Sequence, residues 1–215
     1  MELPGIGLSP RPLRDSSYPA EAVDALDSLR DSIGLPRWSV LGYSSGSRVA
    51  EAYLQTHPDH VERAVFLCPV RTSADKALAL RVASIVDARF PAFGTWVLSG
   101  WRIWFLIHLL GFNLHRYAPV DAWYEEIASQ PVDILKATLR SMPDGGSRPF
   151  DVPNQIPTLF VWGREDLITA TPRRPSPRDV VIHANHSMPQ TRAKEVAEIL
   201  LSFFARNNPE GMKRL

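Results

Sequence analysis

The sequence lacks several features that would place it in a particular class of protein. Its single cysteine, Cys68, excludes an internal disulfide framework. Its 24 Lys and Arg against 23 Asp and Glu give a net charge of +1, so no overall attraction to nucleic acid or acidic membranes is expected. The apolar stretch 92–114 is interrupted by Arg102 and His108, and is therefore too polar for a spanning helix of about twenty residues. The polar, Pro/Gly-rich N-terminal segment does not resemble a secretory leader, which predicts a cytoplasmic protein.

Side chains that would hold a metal or a cofactor are also scarce. His57 and His60 flank a proline that marks a helix end, but no further His or Cys completes a metal site. The Gly5-Ile6-Gly7 segment is not a dinucleotide loop, because no strand precedes it and no helix follows it. Cys68 comes directly after an apolar run and is interpreted as a small buried hydrophobic residue rather than a nucleophile. We therefore predict neither a metal nor an organic cofactor.

Apolar runs and amphipathic stretches alternate along much of the chain, which predicts βαβ units and a mainly parallel sheet with helices on both faces. With 45% apolar residues among 215, one α/β domain with a sizeable core is expected. The predicted helices are 21–33, one that begins near Ser47 and ends before Pro58, and one with Val196, Ile199, Leu200, Phe203 and Phe204 on one face; the predicted strands are 38–41, 61–67, 157–163 and 180–182.

The segment Gly42-Tyr43-Ser44-Ser45-Gly46 lies between a predicted strand and a predicted helix. A strand, a sharp turn that exposes a serine and a helix form the context of a nucleophile elbow. Glycines two residues before and after Ser44 are expected because larger side chains would collide in so tight a turn. The helix would direct its first N–H groups and the positive end of its dipole toward the turn, where an oxyanion would form.

A candidate acid and a candidate base follow the last two predicted strands. Asp166 and its neighbour Glu165 come directly after the strand at 157–163, and His186 lies in the loop beyond the strand at 180–182. Functional groups of an open α/β sheet gather at the carboxyl ends of its strands. The order Ser, Asp, His along the chain is that of an α/β-hydrolase triad. Glu165 and His183 remain alternatives to Asp166 and His186, although His183 lies at the end of its strand rather than in the loop.

These segments resemble α/β-hydrolase-fold serine hydrolases of the esterase or lipase type. The resemblance implies that Ser44 is the nucleophile, His186 the general base and Asp166 the group that orients it, with the backbone N–H of Ser45 in the oxyanion hole. It also implies cleavage of a small-molecule carboxylic ester through an acyl-enzyme. Serine at the elbow speaks against haloalkane dehalogenases and epoxide hydrolases, which carry aspartate there. The matching segments are 3–9, the elbow with its helix, Thr56-His57-Pro58 through Val61, Trp162-Gly163-Arg164-Glu165-Asp166 and Asn185-His186-Ser187.

One departure from the family is the position of the elbow near the N-terminus. The strands that precede it in the family are missing, Glu2 stands for the family's aspartate in the leading loop, and no residue matches the second oxyanion donor. We expect either a natural chain that starts further upstream or a truncated one. The strand at 38–41 would then be an exposed sheet edge through which chains could self-associate, with weak activity. The alternatives in function are a hydrolase-like binding protein, an inactive truncated form, or thioesterase, amidase, perhydrolase or lyase chemistry on the same triad.

The resemblance also implies a division of the chain into three parts. Residues 1–71 would form the first part of the hydrolase core, 72–151 a helical cap over the active site, and 152–215 the second part of the core. The cap segment is rich in aromatic residues, most of which we expect to pack in its interior while a few line the substrate site. Its apolar side predicts an apolar acyl or alcohol group and could also contact lipid without spanning it. His108 and His115 are interpreted as cap residues.

Overall fold

The computed structural model describes residues 18–71, 75–76, 78–103, 105, 130–141 and 150–205. Several sequence-based predictions concern positions outside these ranges. They are the leading loop 3–9 with Glu2, the cap residues Trp104, His108, Phe112, His115, Trp123 and Tyr124, and the basic C-terminal end 212–215.

A parallel sheet of four strands forms the centre of the described structure. The strands are β1 (Trp38–Tyr43), β2 (Val61–Leu67), β3 (Thr158–Gly163) and β4 (Asp179–Ile182), in that order across the sheet. The predicted strands and their parallel arrangement are confirmed. β3 is buried along its whole length, as expected for an inner strand covered on both faces. Within the described residues β1 pairs only with β2, and its alternate residues are exposed, so it lies at the edge of this sheet.

Helices precede, connect and follow the strands. They are α1 (Tyr18–Ser32), α2 (Gly46–Thr56), α3 (Leu78–Arg89), α4 (Pro91–Val97), α5 (Val132–Ser141), the short α6 (Met188–Thr191) and α7 (Ala193–Ala205), with a 3-10 turn at Pro58–His60. The predicted first helix is confirmed and begins three residues earlier than expected. It ends just before Gly34, whose φ of 68° is a conformation that favours glycine.

The two faces of the sheet bury different side chains because successive residues of a strand point to opposite sides. On one face Phe66 and Trp162 pack with Tyr53 and Leu54 of α2 and with residues of α1. On the other face Val65, Leu67 and Val161 pack with Val196 of α7 and its neighbours. Helices therefore cover both faces, as the alternating sequence pattern predicts.

The segment between β2 and β3 contains α3, α4 and α5, which are joined by a buried carboxylate. Asp87 of α3 forms ion pairs with Lys136 at 3.0 Å and Arg140 at 2.9 Å, both from α5. Lys136 also donates hydrogen bonds to the carbonyl of Pro91 and the hydroxyl of Thr95 in α4. The ion pair of Asp87 with Lys136, together with the hydrogen bonds of Lys136, thus links three helices. The division of the chain into a core and a cap stays a prediction.

Five of the aromatic residues described in this segment are exposed rather than packed in its interior. The expectation that most of them are buried is wrong for Phe90, Phe93, Trp96, Trp101 and Phe105, which are 50% to 70% exposed. Phe93 stacks on Trp96 with ring centroids 5.5 Å apart, and the guanidinium of Arg102 lies 4.4 Å from the Trp96 centroid, so these side chains cover one another at the surface. Among the described helices none is long and apolar enough to cross a bilayer. Contact with lipid stays a prediction.

The two glycines beside the Ser44 turn differ in how much space surrounds them. A Cβ on Gly42 would lie 2.7 Å from the Cα of Ser47 and 2.9 Å from the Cβ of Ala50. Glycine at this position therefore allows α2 to pack directly against β1. A Cβ on Gly46 would meet no described atom within 4 Å. The expectation that both glycines avoid collisions is therefore confirmed at Gly42 and wrong at Gly46, as far as the described residues show.

We expect Gly42→Ala to destabilise the protein by about 1–3 kcal/mol, the usual cost of overpacking, because the added methyl would push α2 away from β1. Differential scanning calorimetry should show a melting temperature lower by roughly 2–4 °C for each kcal/mol. Gly46→Ala is the matched control and should melt within a degree or so of the wild type or slightly higher, since alanine favours helix. Equal destabilisation by both substitutions would contradict the proposed packing.

Candidate active site

Ser44 follows β1 directly and has a strained backbone. Its φ is 51°, a left-handed conformation that is uncommon for residues other than glycine. The turn is held on both sides, because the amide of Ser44 donates to the carbonyl of Leu67 at 2.9 Å and its carbonyl accepts from the amide of Ser47 at 3.1 Å. The side chain is therefore presented at the carboxyl end of the sheet, immediately before α2. This is the geometry that the glycine-serine motif predicts.

The structure brings Ser44, Asp166 and His186 together from three separate loops. Nε2 of His186 lies 2.8 Å from Oγ of Ser44, and Nδ1 of the same ring lies 2.8 Å from Oδ2 of Asp166. The His186 and Asp166 side chains are almost completely buried. Because a carboxylate accepts, Nδ1 carries the proton, and Nε2 is left as the acceptor for the serine hydroxyl. This arrangement of hydroxyl, imidazole and carboxylate has the form of a catalytic triad.

The Asp166 carboxylate is fully hydrogen-bonded in its buried position. Oδ1 accepts from the backbone amides of Ile168 at 2.7 Å and Thr169 at 2.9 Å, and Oδ2 accepts from the hydroxyl of Thr169 at 2.5 Å as well as from His186. Burial by itself raises the pKa of Asp166, but the charge and hydrogen bond of His186, together with the Thr169 hydrogen bonds, outweigh it and lower the pKa. The group is therefore ionised at neutral pH.

Thr169 is a site residue that the sequence reasoning missed. It contributes two of the four hydrogen bonds to Asp166. The available signal was its position three residues after an aspartate in a predicted loop, a spacing at which Asp and Thr commonly bond each other's backbone. Without the structure, nothing in the sequence connects Thr169 to the serine.

Gly163 allows the acid and base loops to approach each other. A Cβ on this residue would lie 2.4 Å from the carbonyl oxygen of Ala184 and 3.0 Å from that of Asn185. Beyond this contact Asn185 holds its own turn, because Oδ1 accepts from the amide of Ser187 at 3.1 Å and from the hydroxyl of Thr191 at 3.2 Å. The loop that carries His186 is therefore fixed both by close backbone packing and by side-chain hydrogen bonds.

The alternative acid and base lie together at the surface. The side chains of His183 and Glu165 are 68% and 54% exposed, and Nδ1 of His183 lies 3.9 Å from Oε1 of Glu165. His183 also lies 3.4 Å from a nitrogen of Arg164. The hydrogen bond to Ser44 is made by His186 instead. Glu165 and His183 thus lie at the surface, outside the hydrogen-bonded series of Ser44, His186 and Asp166.

Ser45 precedes the first residue of α2 and has the backbone angles φ −61° and ψ −31°. Its N–H lies at the start of an eleven-residue helix, the end that carries the positive part of the helix dipole. Its role as an oxyanion donor stays a prediction.

Cys68 lies next to the candidate triad but lacks the properties of a nucleophile. It follows β2 with a φ of 47° and is completely buried, and its Sγ lies 3.7 Å from the carbonyl oxygen of His186. Burial raises the pKa of the thiol well above its ordinary value, and the nearby charge of Asp166 raises it further. The prediction of a buried cysteine is confirmed, and its thiol is neutral at physiological pH.

Asp27 joins the two histidines that the sequence analysis considered as metal ligands. One ligand atom each from Asp27, His57 and His60 lies within 4.8 Å of the others. Oδ1 of Asp27 already accepts hydrogen bonds from Arg30 at 2.9 Å, and from Tyr53 and His60 at 2.8 Å. The Arg30 hydrogen bond is the main reason that the pKa of Asp27 is lowered. The carboxylate therefore links α1 to α2 and the following turn, and the absence of a bound metal stays a prediction.

A family model and curated relatives match this chain. The model for the alpha/beta hydrolase fold matches residues 1–171 of 215. A 2-hydroxy-6-oxononadienedioate/2-hydroxy-6-oxononatrienedioate hydrolase from Pseudomonas putida is 28% identical over an alignment 179 residues long, which covers 77% of this chain and 59% of that protein. A proline iminopeptidase from Neisseria gonorrhoeae is 38% identical over 52 residues, 22% of this chain and 17% of that protein. The chain thus spans 59% or less of the length of these relatives.

Solved structures with the same fold cover almost the whole chain. A hydrolase from Oleispira antarctica superposes with a TM-score of 0.70 at 14% identity, covering 94% of this chain and 79% of that one. A 2-hydroxy-6-oxo-6-phenylhexa-2,4-dienoate hydrolase from Rhodococcus sp. superposes with a TM-score of 0.66 at 18% identity, covering 94% of this chain and 77% of that one. An esterase from Exiguobacterium antarcticum superposes with a TM-score of 0.63 at 13% identity, covering 94% of this chain and 78% of that one. These identities show likeness of fold alone.

The family model covers most of the chain, and the parallel sheet ends in a strained serine turn followed by a helix. On this evidence the protein belongs to the α/β-hydrolase fold family.

Proposed function

We propose that this protein is a serine hydrolase that cleaves carboxylic esters through an acyl-enzyme. The observation that carries the proposal is the continuous hydrogen-bonded series from Ser44 through His186 to Asp166, with both distances at 2.8 Å. The buried, ionised Asp166 would stabilise the imidazolium that forms when His186 takes the serine proton. The strained turn at Ser44 holds the hydroxyl at the end of the sheet.

In the proposed reaction Oγ of Ser44 attacks the ester carbonyl carbon while its proton passes to Nε2 of His186. The negative charge that develops on the carbonyl oxygen would be stabilised by the N–H of Ser45. Collapse of this intermediate breaks the bond to the alcohol, which leaves with the proton from His186. Water then attacks the acyl-enzyme with His186 again as the base, and the acid and free Ser44 are released.

A second candidate reaction is hydrolysis of a carbon–carbon bond. The relative from Pseudomonas putida is named for a hydroxy-oxo dienedioate, which contains a ketone but no ester. Hydrolysis of such a compound has to break a carbon–carbon bond beside the ketone. The same three side chains could serve this chemistry, because fold and triad alone do not determine the substrate. Turnover of a 6-oxo dienoate with no turnover of nitrophenyl esters would favour this candidate, and turnover of neither would favour a binding protein.

The first prediction tests the serine and the choice of histidine. A fluorophosphonate probe should label the chain at Ser44, and Ser44→Ala should abolish labelling and lower ester kcat by at least about 10³-fold. His186→Ala should have a comparable effect on kcat. His183→Ala is the matched control and should leave turnover within about twofold, since His183 is exposed and contacts Glu165. Probe attachment that persists in Ser44→Ala, or a silent His186→Ala, would refute the assignment.

The second prediction tests the acid. Asp166→Asn should lower kcat by roughly 10³–10⁴-fold, because the amide favours the wrong tautomer of the imidazole. Glu165→Gln removes a charge at the adjacent, exposed position and should change kcat little. Esterase assays with matched melting temperatures separate a catalytic defect from unfolding. If Glu165→Gln caused the larger loss of kcat, Glu165 rather than Asp166 would be the residue that orients His186.

The third prediction is that the substrate carries an apolar acyl group. The aromatic composition of the segment between β2 and β3 is the reason for this prediction. Each buried methylene contributes about 0.8 kcal/mol at most, equivalent to roughly fourfold in kcat/KM. Nitrophenyl esters of medium chain length should therefore be cleaved with higher kcat/KM than the acetate. Trp96→Ala should flatten this dependence. Ile33→Ala removes an equally exposed residue just beyond the end of α1 and should leave the dependence unchanged. A flat profile in the wild type would argue for a small substrate.

A further inference from the structure

Tyr43 connects the strand that precedes Ser44 to the loop that carries His186. Its hydroxyl donates a hydrogen bond to the backbone carbonyl of His186 at 2.8 Å, across 143 positions of the sequence. Its ring also packs against the imidazole, with centroids 5.5 Å apart and planes inclined at 33°. One side chain thus holds both the backbone and the ring of the histidine that contacts Ser44.

The two ends of this connection lie in different kinds of structure. Tyr43 is the last residue of β1 and pairs with Leu67 of β2 in the sheet. The next amide, that of Ser44, continues the ladder by donating to the Leu67 carbonyl. His186, in contrast, lies in the loop between β4 and α6. Tyr43 therefore ties the loop that carries His186 to β1, the same strand that positions Ser44.

The hydroxyl of Tyr43 has a function that packing alone does not require. Phenylalanine would fill the same space against the imidazole but could not donate to the carbonyl. His186 is only 4% exposed, so a carbonyl left without its donor would be costly. The Cys68 thiol, 3.7 Å from the same oxygen, is a weak donor and cannot fully replace the phenol.

We propose that Tyr43 is a positioning residue that sets the distance and orientation of the His186 ring relative to Ser44. This inference rests on the proposed function, because it assumes that Ser44 and His186 react together. Tyr43 need not touch the substrate for this role. Its effect would appear in the step in which the serine proton moves to Nε2 of His186, because a small displacement of the reacting groups lowers the rate of such a step strongly.

The test is Tyr43→Phe, which keeps the ring and removes only the hydroxyl. We expect kcat for a nitrophenyl ester to fall about three- to tenfold, the equivalent of one ordinary hydrogen bond, while KM changes little. The proton between Nδ1 of His186 and Asp166 should give a downfield resonance in proton NMR spectra, because it lies in a short, charge-assisted hydrogen bond. In Tyr43→Phe this resonance should shift or broaden.

Tyr53→Phe is the matched control. The hydroxyl of Tyr53 also donates a 2.8 Å hydrogen bond, but to Asp27, so its removal should lower the melting temperature without changing kcat or the downfield resonance. Cys68→Ala should reduce kcat by less than about twofold, since a thiol is a weak donor. The double variant with Tyr43→Phe should lose more than the product of the two single effects, because the carbonyl would then lack both donors.

Two results would overturn the positioning role. One is a Tyr43→Phe protein with wild-type kcat and an unchanged downfield resonance. The other is a loss of kcat explained wholly by a lower melting temperature, as for Tyr53→Phe. If the wild type hydrolyses no ester, the proposed function fails, yet the resonance still decides whether Tyr43 positions His186. The two failures are therefore distinguishable.

Discussion

The four described strands run parallel, so the chain leaves each of them at the same edge of the sheet. Backbone hydrogen bonding continues for one residue beyond the strands: Ser44 donates to Leu67, Cys68 to Val161, and Arg164 to Ile182. The residues that follow the strands are therefore held in register with the sheet itself. Ser44, Asp166 and His186 meet because this regular ladder determines where their three loops begin.

The buried Asp166 carboxylate lies at this edge of the sheet, and burying its charge costs free energy unless hydrogen bonds compensate. Its burial is tolerated because backbone amides, the Thr169 hydroxyl and His186 all donate to it, which keeps the charged form stable. The same donors prevent the carboxylate from rotating, and the carboxylate in turn fixes the imidazole tautomer. The hydrogen bonds that stabilise the buried carboxylate thus also leave Nε2 of His186 as the acceptor for the Ser44 hydroxyl.

Local patterns in the sequence predict much of this arrangement. Apolar runs locate all four strands, amphipathic spacing locates α1, α2 and α7, and the glycine-serine motif locates the turn with positive φ at Ser44. These features depend on residues close together in the chain. The expected burial of the aromatic segment fails for Trp96 and its neighbours, because hydrophobic composition does not reveal which face of a short helix meets the core.

The sequence by itself determined the order of the four strands and of α1, α2 and α7, the strained serine, and the loops that carry a candidate acid and base. Only the tertiary structure decided that His186 rather than His183 contacts Ser44, that Thr169 bonds Asp166, and that Tyr43 bonds the carbonyl of His186. Thr169 lies only three residues from Asp166, but that spacing does not tell which of several polar neighbours bonds the carboxylate. For His186 the physical reason is distance along the chain, because its contacts with Ser44 and Tyr43 span 142 and 143 positions. The relative placement of the loops that they join depends on strand register and on close backbone packing. No local pattern of residue types specifies such a quantity.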